Sequence, residues 1–123
     1  MTSTPTTKIA LDAMGGDNMP AAAIDGAIAA AQQGSRVILV GDEPLLRAEL
    51  QQRSAAAPLL SGGQAATLEV VHAGDVISMD DHAADVRRRK DSSVMVAMRL
   101  AAEGRAAGAI SLGHSGATMA AAL

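Results

Sequence analysis

Residues 11–20 read LDAMGGDNMP and residues 111–116 read SLGHSG. Each stretch puts glycine directly after a short apolar run and directly before an alanine-rich one. Glycine accepts positive φ and lets backbone approach a ligand closely. A loop that leads into a helix N-terminus presents free N–H groups, and these favour an anion such as phosphate. The chemistry in reach is therefore anion binding by main-chain amides at Gly15, Gly16, Gly113 and Gly116. Ser115 would add a hydroxyl. His114 would add a ring that hydrogen-bonds and can exchange a proton near neutral pH. Neither stretch is G-x-G-x-x-G, and no Gly-Lys-Ser/Thr follows, so neither is a P-loop. On the residues alone, tight structural turns compete evenly with ligand loops.

The next candidates are charged. Arg87, Arg88, Arg89 and Lys90 form the one dense positive run. It reads either as a solvated turn, partly neutralised by Asp80, Asp81 and Asp85, or as a dock for phosphate or an acidic protein. Arginine suits bidentate phosphate contacts, and Arg88 with Lys90 are the residues singled out. Ser92 or Ser93 caps the helix that follows, and since both follow the basic run, both also stand as candidate lining residues. Asp12 and Asp17 flank the first glycine pair, and a carboxylate repels phosphate. Asp12 lies inside an apolar strand, where burial requires hydrogen bonds, so its expected task is to fix the loop by accepting backbone N–H groups. His72 and His82 read as surface or core fillers. The three histidines lie far apart and lack metal-ligand spacing. There is no cysteine, which removes disulfides, thiolate nucleophiles and Cys-ligated zinc.

These residues must be held by elements. The chain has 123 residues, 49% of them hydrophobic, with a net charge of −3 and no Phe, Trp or Tyr. That suits one globular domain with a thin aliphatic core, gives no overall attraction to nucleic acid or anionic membrane, and removes base stacking on aromatics. Residues 1–7 are polar and are expected to be a disordered leader rather than a signal peptide. No apolar run reaches the ~18 residues of a membrane span, so a cytoplasmic protein is expected. Strands are expected at Lys8–Met14, Arg36–Val40, Thr67–His72 and Gly108–Ser111. Helices are expected at Ala21–Gln33, Pro44–Ser54 and Ser92 or Ser93 through Glu103, with another starting at Gly116. Asn18 or Asp17 would cap the first helix, with Pro20 in its first turn, and Gly34 and Gly104 would stop the first and third. Ala55–Gln64, with Pro58, Gly62 and Gly63, reads as a surface loop. Met95 and Met98 read as core. Strand and helix alternating about four times argue for an α/β fold with a parallel sheet. In such sheets ligands gather beyond the carboxyl ends of the strands.

Taken in order, DAMGGD, ILVGD, VVHAGDVISMDD, RRRKDSS and SLGHSGA resemble the phosphate acyltransferases of bacterial phospholipid synthesis, the PlsX family. The resemblance runs from Lys8 to Leu123 and spans about the first third of a typical member, so residues 8–123 are expected to be the N-terminal part of a single α/β domain, truncated inside a helix. It implies a three-layer α/β/α sandwich similar to phosphotransacetylase and isocitrate dehydrogenase-like proteins. It implies transfer of a fatty acyl group from acyl carrier protein to inorganic phosphate, with no organic cofactor. It also implies a cytoplasmic homodimer that associates peripherally with the membrane. Members often carry Asn-Thr-Gly-Ala or Asn-Ser-Gly-Ala where this chain has His114–Ser115–Gly116–Ala117, which points to substrate positioning at His114 rather than acid–base work. Two other readings stay open: a non-catalytic βα metabolite- or phosphate-binding module, and an inactive fragment.

Overall fold

The computed structural model describes residues 8–14, 20–60, 67–74 and 92–111. The elements run β1 (Lys8–Asp12), α1 (Ala21–Gln32), β2 (Arg36–Gly41), α2 (Glu43–Gln51), α3 (Ala57–Leu60), β3 (Leu68–His72), α4 (Ser93–Ala102) and β4 (Gly108–Ser111). The four strands form one sheet in the order β3-β2-β1-β4, every pairing parallel. The α/β class expected from the alternation is the class observed.

Strand β2 is buried on both faces, and its alternation shows how. Val37, Leu39 and Leu68 join Ile24, Ala27, Leu46 and Leu50 in one core. Ile38, Val40 and Ala10 join Val96, Ala97 and Leu100 in another. Neighbouring residues of β2 thus feed opposite layers, with α1, α2 and α3 on one face and α4 on the other. Buried on both sides, Val37–Val40 is a continuous apolar run, as a central parallel strand must be. Aromatics are not needed, because Ala23, Ala27 and Ala31 repeat every fourth residue along the buried side of α1 and let that helix lie close to the sheet.

Strand order explains the two layers. The chain steps from β1 to β2 to β3 in one direction, then crosses back to place β4 on the far side of β1. Crossovers keep one hand, so reversing the direction moves the connecting helix to the other face. That is where α4 lies. The reversal makes the β1/β4 boundary the topological switch point of the sheet, the position where open α/β sheets place ligands.

Helix ends follow local chemistry. Gly34 has φ 96° and Gly104 φ 77°. Gly34 N donates to Ala31 O and Ser35 N to Ala30 O, while Gly104 N donates to Ala101 O and Arg105 N to Leu100 O. Both are Schellman ends with glycine at C′, as expected. Ser92 caps α4, and Asp42 caps α2. At α1 the structure departs from expectation. Pro20 itself occupies the N-cap position with no side-chain cap, and Asp17 and Asn18 lie outside the described residues. Two further expectations are corrected. The stretch read as a loop after Ala55 contains the short helix α3, because proline at its second position sacrifices no intrahelical bond. Met95 and Met98 are only half-buried, and the sheet-facing side of α4 is carried by Val96, Ala97 and Leu100.

Candidate functional site at the β1/β4 switch point

Register builds the site. Asp12 is the last residue of β1 and pairs with Ser111, the last residue of β4. Alternation from Ala10 and Ala109, both packed against α4, puts Asp12 and Ser111 on that same face. The first turn of α4 meets them there. Ser111 Oγ donates to Asp12 Oδ2 at 3.1 Å. The Met14 backbone N–H donates to Asp12 Oδ1 at 3.0 Å, closing an Asx-type turn as the chain leaves β1. Ser93, the first residue of α4, is also hydrogen-bonded to the carboxylate. Asp12 is only 4% exposed. Burial raises its carboxyl above the ordinary carboxylate value, and the hydrogen bonds from Ser93, Met14 and Ser111 act in the opposite direction.

Asp12 therefore accepts a backbone N–H, as its place in an apolar strand suggested. Ser93 and Ser111 as its partners were missed. Their only signal was parity along the strand and helix, which becomes readable once β4 is known to lie beside β1. Ser92 is wholly buried, and its Oγ accepts from Met95 N at 3.2 Å, which satisfies the capping reading. His72 is exposed, and its Nδ1 accepts from the Glu43 N–H at 3.1 Å, so it ties β3 to the start of α2. The other candidates, Gly15, Gly16, Arg88, Lys90, Gly113, His114, Ser115 and Gly116, lie outside the described residues, as does His82.

A Cβ built on Gly41, at the end of β2, would sit 2.6 Å from Met14 Cγ and 3.2 Å from Leu46 Cδ1. Gly41 thus lets the segment leaving β1 pack down over β2. Ala13 N also donates to Val40 O at 2.9 Å, so this segment stays zipped to β2 beyond the strand. An apolar cavity of about 500 Å³ lies on the other face, between α1 and the sheet, lined by Ile9, Leu11, Ala27, Ala30, Val37 and Ile110. Ser35 and Arg36 are its polar lining residues among those described, and the Asp12 cluster lies apart from it, at the switch point. Among the described residues no helix is long and apolar enough to cross a membrane.

Residues 7–123 match the family described as fatty acid synthesis protein. The chain belongs to that family. It is 51% identical over 115 residues to a phosphate acyltransferase of Deinococcus radiodurans, covering 94% of this chain and 30% of the relative. It is 49% identical over 116 residues to a phosphate acyltransferase of Thermus thermophilus, covering 94% of this chain and 32% of the relative. An Anaeromyxobacter protein of the same name is 46% identical over 116 residues, covering 94% of this chain and 30% of the relative. The chain thus spans about a third of the length of the curated relatives it matches. As a member of the fatty acid synthesis protein family, it contributes a parallel sheet whose switch point carries the Asp12–Ser93–Ser111 cluster.

Proposed function

We propose that this chain is the N-terminal third of a phosphate acyltransferase that moves a fatty acyl group from acyl carrier protein to inorganic phosphate, giving acyl phosphate for phospholipid synthesis. The observation that carries the reading is the match of 94% of the chain to relatives named phosphate acyltransferase. The switch-point geometry supports it by placing the end of β1 beside the end of β4.

The chemistry asks little of protein nucleophiles. A phosphate oxygen attacks the thioester carbonyl, a C–O bond forms, and the C–S bond breaks to release thiolate. A thiolate leaves readily, so a strong general acid is not required. The site must align two anionic reactants and stabilise the oxyanion that develops between them. In this reading amides around Gly15–Gly16 and Gly113–Gly116 hold phosphate, Ser115 adds a hydroxyl, and His114 orients the acceptor by hydrogen bonding. Arg88 and Lys90 dock phosphate or the acidic carrier protein. The working unit is a cytoplasmic homodimer with peripheral membrane contact and no organic cofactor.

The test is acyl phosphate formation by the full-length protein from acyl carrier protein thioester and phosphate. Turnover that requires both substrates is expected. Phosphate binding without turnover would return the chain to the class of binding modules. Lys90→Glu then separates two roles. If the basic run docks the carrier, KM for the carrier thioester rises and the parent shows strong salt sensitivity. If it binds phosphate, KM for phosphate rises. Both constants unchanged would make the run a solvated turn.

A further inference from the structure

We infer that Asp12 is a positioning residue that ties together the three elements meeting at the switch point and so sets the phosphate side of the proposed transfer. The tie itself is geometric. Only the identity of what it positions rests on the functional reading above.

Asp12 occupies a sheet position where alternation asks for an apolar side chain, since Ala10 precedes it on the same face and packs in the α4 core. A carboxylate there is costly to bury and is tolerated because its lone pairs are satisfied. Its donors come from three separate elements. Met14 belongs to the segment leaving β1, Ser111 ends β4, and Ser93 opens α4. One side chain therefore links places that are far apart in sequence: Asp12 and Ser111 lie 99 residues apart.

Each linked strand end leads into a glycine-bearing segment. Gly15 follows Asp12 by three residues, and Gly113 follows Ser111 by two. Fixing the two strand ends to one carboxylate fixes the starting points of both segments relative to each other. Alignment of reacting groups is sensitive to misplacement of about 1 Å, which can cost on the order of 100-fold in rate. Ser93 and Ser111 are engaged with Asp12, which is itself almost wholly buried, so its carboxylate acts through these partners. That separates Asp12 from a catalytic residue.

The experiment compares the full-length parent with Asp12→Asn, Ser111→Ala and Ser111→Thr by amide hydrogen exchange and steady-state kinetics. Asparagine keeps the shape and one acceptor but loses the charge. In Asp12→Asn, exchange should quicken about tenfold in peptides covering residues 13–20 and 112–123, with β2 and β3 unchanged. KM for phosphate should rise about tenfold, while KM for the carrier thioester stays within about twofold. Ser111→Ala should move both readouts in the same direction, and Ser111→Thr, which retains the hydroxyl, should restore them. Exchange unchanged at both segments would overturn the inference. So would a uniform rise that includes β2 and β3 with equal losses for both substrates, which is the mark of a general structural role. If the parent forms no acyl phosphate, the functional reading fails, and the exchange measurement decides the tie by itself.

Discussion

Asp12 shows how a single residue can work against stability. Its buried carboxyl holds a proton more tightly than the unfolded chain does, because desolvation outweighs the hydrogen bonds that oppose it. The sign follows from linkage. Between the unfolded and the raised folded pKa the native state binds more protons, so the Asp12 contribution to stability falls as pH rises through that window and is level above it. The expected outcome is that Asp12→Asn removes this component. Thermal unfolding across the acid-to-neutral range should show the parent losing Tm relative to the variant as pH rises. Parallel curves for parent and variant would place the titration elsewhere. A carboxylate kept at a position where ionisation costs stability fits a residue retained for positioning.

At the scale of elements, α4 depends on its cap. Ser92 is wholly buried, and its Oγ accepts from the Met95 N–H. Ser92→Ala leaves that N–H without its acceptor and should cost about 0.5–2 kcal/mol, read as a lowered denaturation midpoint. A change below the lower bound would mean that the cap contributes little. Elements were also the most legible scale in the sequence. Strand β4 is bounded by Gly108 and Ser111 as its apolar run suggested, and Gly34 and Gly104 end their helices in the left-handed conformation that glycine permits. Helix α3 was hidden because Pro58 reads as a breaker, although proline in a first turn is compatible with a helix. The site was less legible. Asp12 stood out locally as an acid in an apolar strand. Its meeting with Ser93 and Ser111 did not, because that depends on strand order, and strand order is a long-range property.

At the scale of the whole molecule, the reversal of strand order at β1/β4 organises the site. It sends α4 to the opposite face from α1 and α2, and it brings the ends of β1 and β4 into register. The chain spans about a third of its relatives' length, so the surfaces that complete the proposed transferase belong to the full-length protein. On this reading phosphate is held where β1 and β4 end. The most direct measurement is a crystal structure of the full-length protein with phosphate, compared with the same crystals grown without it. A phosphate is expected beyond the carboxyl ends of β1 and β4, within hydrogen-bonding reach of amides from residues 15–16 and 113–116. A phosphate bound at the opposite end of the sheet, beside Lys8 and Arg36, would contradict it.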